Sequence, residues 1–545
     1  LYQIKRLADP KRLAPLRGLL SQYIEGMSEL TQEVAAKRKA MGANDWLDLR
    51  EFHMKGLKKI DDHRFSIRLK GKYPQFKYWL AFHFFAPVSW QVDRFYHLPG
   101  LPERNISLDW YPVGTGAYMM SENNPNAQIV LERNPNFREE FYPTEGAPGD
   151  EELGLLKDAG KRLPFIDKYV FRLEKEAIPT WTKFLQGYYD RSGISSDSFD
   201  QAVSVQSEGI SLSDEMQEKN IVLQQVVRPS TYYMGFNMLD PVVGGYSEKA
   251  RKLRQAITIA YDTEEYIKIF MNGRGETAMS PIPPGIFGYQ QGEAGNLKSI
   301  FDWVDGKPKR KTLDDARELL AQAGYPDGRD AKTGEPLIIN LDTTASSGSK
   351  AMLSWKKNQF KKIGLQLNIR GTDYNRFKAK METANVQIYF WGWLADYPDP
   401  ENFLFLLYGP NAQVDSKSGV NSANYKNAEY DALFEKMRLQ NDTPERAETI
   451  AKMLKIIQRD SPWGTSFHTY DFVLGHAWVG NDKIHGISKV SLKYRNIDVD
   501  KRMEAQAKWN QPNVWPLIVV LIVLLLLIIP GVRSYQRSQK RTIGG

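Results

Sequence analysis

The sequence contains no cysteine. That absence excludes disulfides, thiolate nucleophiles, cysteine-based zinc sites and a lipid-anchoring cysteine within these residues. Histidine is scarce too: seven, at positions 53, 63, 83, 97, 468, 476 and 485, with no pair at the i, i+4 spacing of a helical metal site. Neither a metal nor any other cofactor is expected, because the short runs Gly114–Gly116 and Gly273–Glu276 are too brief to be phosphate loops. No Ser/His/Asp arrangement, internal repeat or low-complexity tract stands out. The 73 basic residues exceed the 65 acidic ones by only eight and form no concentrated block interleaved with aromatics, so nucleic acid is not an expected partner.

What is present is an ordinary folding composition, 42% hydrophobic and 25% charged, over 545 residues, enough for two to four domains. One segment departs from it. Val514 to Val532, "VWPLIVVLIVLLLLIIPGV", carries no charge, and its only hydrogen-bonding side chain is the indole of Trp515. About 20 such residues span a bilayer core as a helix. Arg533, Arg537, Lys540 and Arg541 follow at once and place the tail in the cytoplasm, whereas Lys501, Arg502 and Lys508 before the span are diluted by acids. Everything before the span is then extracytoplasmic. The first residue is Leu1, and no signal segment follows it, which predicts that the start of the protein lies upstream of this sequence.

Residues 10 to 60 have helical spacing of apolar positions, and "RFSIRLKG" alternates as a half-buried strand does. Residues 114–137 read as two strands across a turn at 123–126, and 138–164 as a long surface loop. Asp262 with Glu265, and Thr312 with Asp315, mark helix starts; Asn272-Gly273 and Gly324 mark helix ends. From 336 the pattern alternates: strand "PLIINLD", helix 347–363, strand "LQLNI", a helix with Tyr374, Phe377 and Met381 on one face, then strand "VQIYFWGW". That order predicts an α/β fold with a mostly parallel sheet and helical crossovers.

The last of these strands runs into "WGWLADYPDPENF", residues 391–403. Asp396 lies just beyond the strand's carboxyl end, where open α/β sheets bind ligands. Three readings of the stretch stand side by side. In the first, Asp396, Asp399 and Glu401 are the acid and base of a glycosidase-like hydrolase. In the second, Asp396 is the counter-ion of a ligand cation between tryptophan walls. In the third, Asp396 is a turn or helix-cap residue and Trp391 and Trp393 are plain core. Prolines on both sides of Asp399 predict a stiff turn with that carboxylate in solvent.

"WGWLADYPDPENFLFLLYG" resembles the signature of the family 5 extracellular solute-binding proteins, the oligopeptide- and dipeptide-binding components of ABC importers. Four further stretches resemble that family in its own order: "VGTGAYMMSENNPNAQIVLERNPNF", "LPFIDKYVFRLEKEAIPTWTKFLQGYYD", the run from "YYMGFNMLDPVV" through "ARKLRQAITIAYDTEEYIKIFMNGRGETAMSPIPPG", and "YDALFEKMRLQNDTPERAETIAKMLKIIQRDSPWG". The likeness covers about 1 to 505. It implies a two-lobed periplasmic-binding-protein fold of class II, closing like a flytrap, with a third appended domain. The implied division is an appended domain over 1–110 with its start missing, and a hinge-side lobe over 111–235 completed by 473–505. A second ligand-binding lobe then covers 236–472, followed by a linker over 506–513, the transmembrane helix 514–532 and a cytoplasmic tail 533–545. The resemblance makes Asp396 the partner of a peptide's α-amino group. It places Gly392 and Leu394 where backbone groups bond the peptide, and Trp393 at the cavity wall, with Tyr232 and Tyr233 before the hinge. It implies no catalysis, and it gives as partners a peptide or other small solute, ABC permease subunits and, through the C-terminal helix, the membrane. A membrane-tethered sensor is the alternative to transport. No basic residue next to Gly392 in the sequence is available for a peptide's carboxylate, which leaves peptide length open.

Overall fold

One fourteen-residue strand, Trp463–His476, holds two groups of strands together. The computed structural model describes residues 1–14, 17–206, 209–344, 349–415, 419–488 and 491–542. The first half of this long strand pairs antiparallel with Ser230–Phe236 and Gly275–Thr277, and its second half with Ile221–Val227 and Arg191–Gly193. The chain passes between the same two groups a second time at Arg228 and Pro229, between strands ending at Val227 and beginning at Ser230. Proline has no amide hydrogen to give a ladder, so a break in pairing falls there naturally.

In the first group the strands lie in the order Gly275–Thr277, Trp463–His476, Ser230–Phe236, Ile388–Leu394, Ile338–Thr344, Gln366–Thr372. Only the pairs made by Ile338–Thr344 are parallel. They are joined by the crossover helices Lys350–Lys361 and Tyr374–Glu382. The expectation of a mostly parallel sheet is therefore corrected to a mixed one. Local alternation correctly gave the parallel part, but Ser230–Phe236 and Trp463–His476 come from distant parts of the chain and enter antiparallel. Two residues of the expected helix 347–363, Ser347 and Gly348, lie outside the described residues.

Helix ends follow their chemistry. Thr312 and Asp315 form a complete capping box, and Asp262 accepts from the Glu265 amide at 2.8 Å. The hairpin of Tyr118–Asn124 with Gln128–Arg133 is present, and a third strand, Lys168–Arg172, joins it. Near the start of the chain the helices are Tyr2–Ala8, Arg17–Tyr23 and Met27–Lys39, and no helix is described from 41 to 75. Phe65–Ile67 is a strand, but Phe65 is 54% exposed, so its alternation does not mark a buried face.

Among the described residues, four hydrophobic clusters form the core. One collects residues 4–79 and admits Tyr397 from far along the chain. A second lies around Trp181, Phe184 and Phe472. The other two lie on opposite faces of the mixed sheet, one around Tyr389, Phe403 and Tyr430, the other around Phe236, Ile388 and Phe360. Residues 506–510, assigned to a linker by resemblance, are anchored instead. The helix Val499–Trp509 sets Trp509 against His476 and Trp478, and Gln506 and Asn510 donate to the carbonyls of Gly187 and Gln186. Beyond it stands the helix Trp515–Thr542, in which Leu517 is 70% and Leu527 67% exposed. Among the described residues no core covers this apolar helix, and its Trp515–Gln539 portion is long and apolar enough to cross a membrane.

Candidate ligand-binding site

The strand Ile388–Leu394 pairs along its whole length with Ser230–Phe236, setting Tyr232 opposite Gly392, Thr231 opposite Trp393 and Ser230 opposite Leu394. Residues about 160 positions apart in sequence thus become direct neighbours. Gly392 is required here: a Cβ would come within 2.4 Å of the Tyr232 ring, which lies across it. Gly235 does the same for the ring of Tyr389, 2.2 Å from its would-be Cβ. The two glycines let tyrosines fold onto the opposite strand.

Side chains alternate between faces along a strand, so this pairing divides the expected residues. Tyr232, Gly392 and Leu394 share one face, and Tyr232 stacks on Phe467 with ring centroids 5.1 Å apart. Trp393 lies on the other face, edge-on to Phe405 at 5.3 Å. Tyr233 also points to that second face, where it is only 3% exposed and stacks on Trp463 at 3.6 Å. Adjacent strand residues face opposite ways, so the Tyr233 ring is packed in the core away from the Tyr232 ring, although both residues border one cavity with Ile457 and Trp463.

The other edge of Ile388–Leu394 is the distinctive feature. Its pairing with Ile338–Thr344 covers only Ile388 and Tyr389. From Phe390 to Leu394 that edge has no strand partner among the described residues, which leaves a row of main-chain groups for an extended ligand. Asp396 stands just past its end. A pocket beside Asp396 is lined by Trp79, Phe82, Phe85, Trp393, Tyr397 and Phe405, together with Asn402 and Val420. The Asn402 side-chain oxygen accepts from the Asp396 amide at 2.8 Å and from the Trp393 indole at 3.2 Å, fixing both relative to each other. The Asp396 side chain is exposed.

The other two carboxylates of the stretch have different surroundings. Asp399, expected in solvent, is 4% exposed and makes a two-pronged salt bridge to Arg446, Oδ1 to Nη2 at 2.7 Å and Oδ2 to Nη1 at 2.9 Å. It also accepts from the Glu401 amide at 2.9 Å and from Gln75 at 3.3 Å. The flanking prolines do form a tight turn, but one that closes inward. Glu401 is 2% exposed and accepts from the hydroxyls of Tyr23 and Tyr73, both at 2.7 Å, and of Tyr397 at 3.3 Å. Burial, reinforced by the neighbouring Asp399, pushes its carboxyl up to about 7. Tyr23 and Tyr73 come from the first cluster of the chain, so Glu401 ties that cluster to the signature turn. An acid–base pair working on a substrate needs both groups at a substrate-accessible surface. Asp399 and Glu401 are locked in the interior, leaving Asp396 as the accessible carboxylate of the three.

An open strand edge, an aromatic wall and one exposed carboxylate at the end of the edge make a site for holding a ligand. The comparisons with known proteins agree. The profile of the bacterial extracellular solute-binding proteins, family 5, middle region, matches residues 1–415, and the chain belongs to that family, whose members bind solutes and are not enzymes. It is 24% identical over 487 residues to the periplasmic oligopeptide-binding protein OppA of Salmonella typhimurium, covering 88% of this chain and 74% of that one. It is also 24% identical over 447 residues to heme-binding protein A of Haemophilus influenzae, covering 80% and 70%. Its fold matches the oligopeptide-binding protein OppAIV of Borrelia burgdorferi with a TM-score of 0.65 at 19% identity, over 91% of this chain and 83% of that one. It also matches DppA of Helicobacter pylori, solved with the peptide STSA, at 0.63 and 21% identity, over 82% and 74%.

Proposed function

We propose that this protein captures peptides on the extracytoplasmic side of the membrane and hands them to the permease of an ABC importer. One observation carries the reading: the strand edge from Phe390 to Leu394 lacks a strand partner among the described residues and ends at Asp396. A peptide adds to such an edge by main-chain hydrogen bonds whatever its side chains, and its α-ammonium meets the carboxylate at the end. Gly392 and Leu394 supply main-chain groups, Trp393 the apolar wall and Tyr232 the ring across Gly392.

Two lobes closing about the crossings near Pro229 and Thr469 suit this task, with residues 1–110 appended and meeting the signature turn through Tyr23, Tyr73 and Tyr397. The helix Trp515–Thr542 tethers the binder to the cytoplasmic membrane with its basic end inside, and a tether raises the local concentration of binder at the permease. The aromatic pocket beside Asp396 also suits a flat apolar ligand, which is the second reading. Mass spectrometry of small molecules released from natively purified full-length protein tests both. Intact peptides at one per protein support the first; a flat macrocycle supports the second. Turnover of a peptide pool in excess over protein would overturn binding as the function.

A further inference from the structure

The helix Val499–Trp509 is the last element before the apolar helix, and its C-terminal end is fastened to the body of the protein. Trp509 packs on His476 and Trp478, with ring centroids 5.4 and 5.6 Å away. His476 stacks in turn on Trp478 at 4.0 Å and on Phe184 at 4.4 Å. Burial holds the His476 imidazole down to about 4, so it stays neutral within this stack near neutral pH. The Lys219 ammonium lies 4.4 Å over the Trp509 ring. Gly187 permits the close approach: its φ is +77°, and a Cβ there would stand 3.2 Å from both Gln506 and Trp478. Gln506 donates to the Gly187 carbonyl at 2.6 Å and Asn510 to that of Gln186 at 2.9 Å. The body held in this way is the one whose core lies around Trp181, Phe184 and Phe472.

Only Gln511, Pro512, Asn513 and Val514 separate Asn510 from Trp515, where the apolar helix begins. Fully extended, that connection reaches at most ~18 Å. Pro512 restricts it further by fixing its own φ. Trp515 belongs at the membrane interface. A compact unit of about 150 residues has a radius of gyration of ~15 Å and is therefore roughly 40 Å across. The connection is shorter than the body it holds, which cannot tumble without striking the headgroups. The fastened helix carries Lys501, Arg502 and Lys508 against Asp500 and Glu504, so the short connection, rather than attraction, sets the approach.

We infer that the face of this body around Gln186, Lys219 and Trp509 rests on the phosphate headgroups of the bilayer, with the helix Val499–Trp509 as a rigid mount in place of a flexible leash. The inference rests on the membrane-spanning reading of Trp515–Thr542 above and adds an orientation to it. A binder mounted in this way meets a protein lying beside it in the same bilayer from one direction only.

The test exploits the absence of cysteine: Glu218→Cys, exposed and next to Lys219, takes a single fluorophore. The full chain is placed in nanodiscs of phosphatidylglycerol and phosphatidylcholine that carry a short-range energy acceptor on their headgroups. A second protein has 20 Gly/Ser residues inserted between Asn513 and Val514, which touches no packed residue. Transfer is strong at the native spacing and does not change from low to high salt, because a covalent connection is not screened. The insertion, with an r.m.s. length of ~25 Å, lowers transfer roughly twofold or more and adds fast tumbling to the decay of fluorescence anisotropy. Trp509→Ala adds the same fast tumbling without any added length. The inference is overturned if the insertion changes neither transfer nor anisotropy, if the native spacing already tumbles freely, or if high salt abolishes its transfer. Protein that enters the nanodiscs but tumbles freely removes the mount alone, whereas protein that does not enter them removes the membrane reading as well.

Discussion

Asp399→Asn keeps the shape of the side chain and removes its charge, and the structure says what that does. Arg446 is 1% exposed at its side chain and Asp399 5%, so the guanidinium loses its main counter-charge where water cannot replace it. Breaking a buried pair from one side typically costs about 3 to 5 kcal/mol. Three contacts soften the loss. Asparagine retains one acceptor for the Glu401 amide, the half-exposed Asp442 still reaches Arg446, and the Met437 carbonyl accepts from its Nε at 3.2 Å. The expected destabilisation is therefore at the lower end, about 3 kcal/mol. Urea unfolding followed by tryptophan fluorescence measures it, as a lower midpoint with an unchanged slope. Adding Arg446→Met removes the stranded cation, and the double variant should recover most of the loss. A midpoint for Asp399→Asn within about 0.5 kcal/mol of wild type would refute the claim that this carboxylate is a structural strut.

The remaining predictions concern the other acids and the tail. Asp396→Asn should leave stability within about 0.5 kcal/mol, since the side chain is exposed, yet lower peptide affinity roughly 30-fold or more by calorimetric titration. Equal affinity for wild type would sink the counter-ion role. For Glu401, whose carboxyl is raised to about 7, the folded protein holds a proton that the unfolded chain has released between the ordinary glutamate range and 7. Its contribution to stability therefore falls as pH rises through that window, and Glu401→Gln should gain on wild type by up to about 3 kcal/mol between pH 5 and pH 8 in chemical unfolding. A constant difference would refute it. Removing residues from 514 onward should convert a protein that resists alkaline extraction from membranes into a soluble one of unchanged affinity; persistent membrane binding would disprove the tether.

How far the sequence could be read depended on how far apart the partners lie. The carboxylate past the strand end, the capping box at Thr312 and the apolar run from 514 are local patterns, and each stands where the pattern put it. The pairing of Tyr232 with Gly392 joins segments that no periodicity connects, although a glycine inside an aromatic strand already signals a close approach. Asp399 was misread because prolines on both sides suggest a solvent turn, while the arginine that pulls it inward lies 47 residues on.

The three acids of the signature turn divide one task. On the reading proposed above, in which Asp396 meets a ligand's ammonium, the carboxylate binds well only if it is already in place, because ordering a loop at the moment of binding consumes part of the binding free energy. Asp399 pins the turn to the helix carrying Arg446, and Glu401 pins it to the tyrosines of the first cluster, 328 residues away at Tyr73 and 378 at Tyr23. Asn402 then fixes the Asp396 main chain and the Trp393 indole with one oxygen. Two buried carboxylates thus hold rigid the backbone that presents the exposed one. The same links join the first cluster of the chain to the turn through the hydroxyls of Tyr23 and Tyr73. A crowd of acids and aromatics in thirteen residues is what a rigid presenting loop requires, and proton transfer has no part in explaining it.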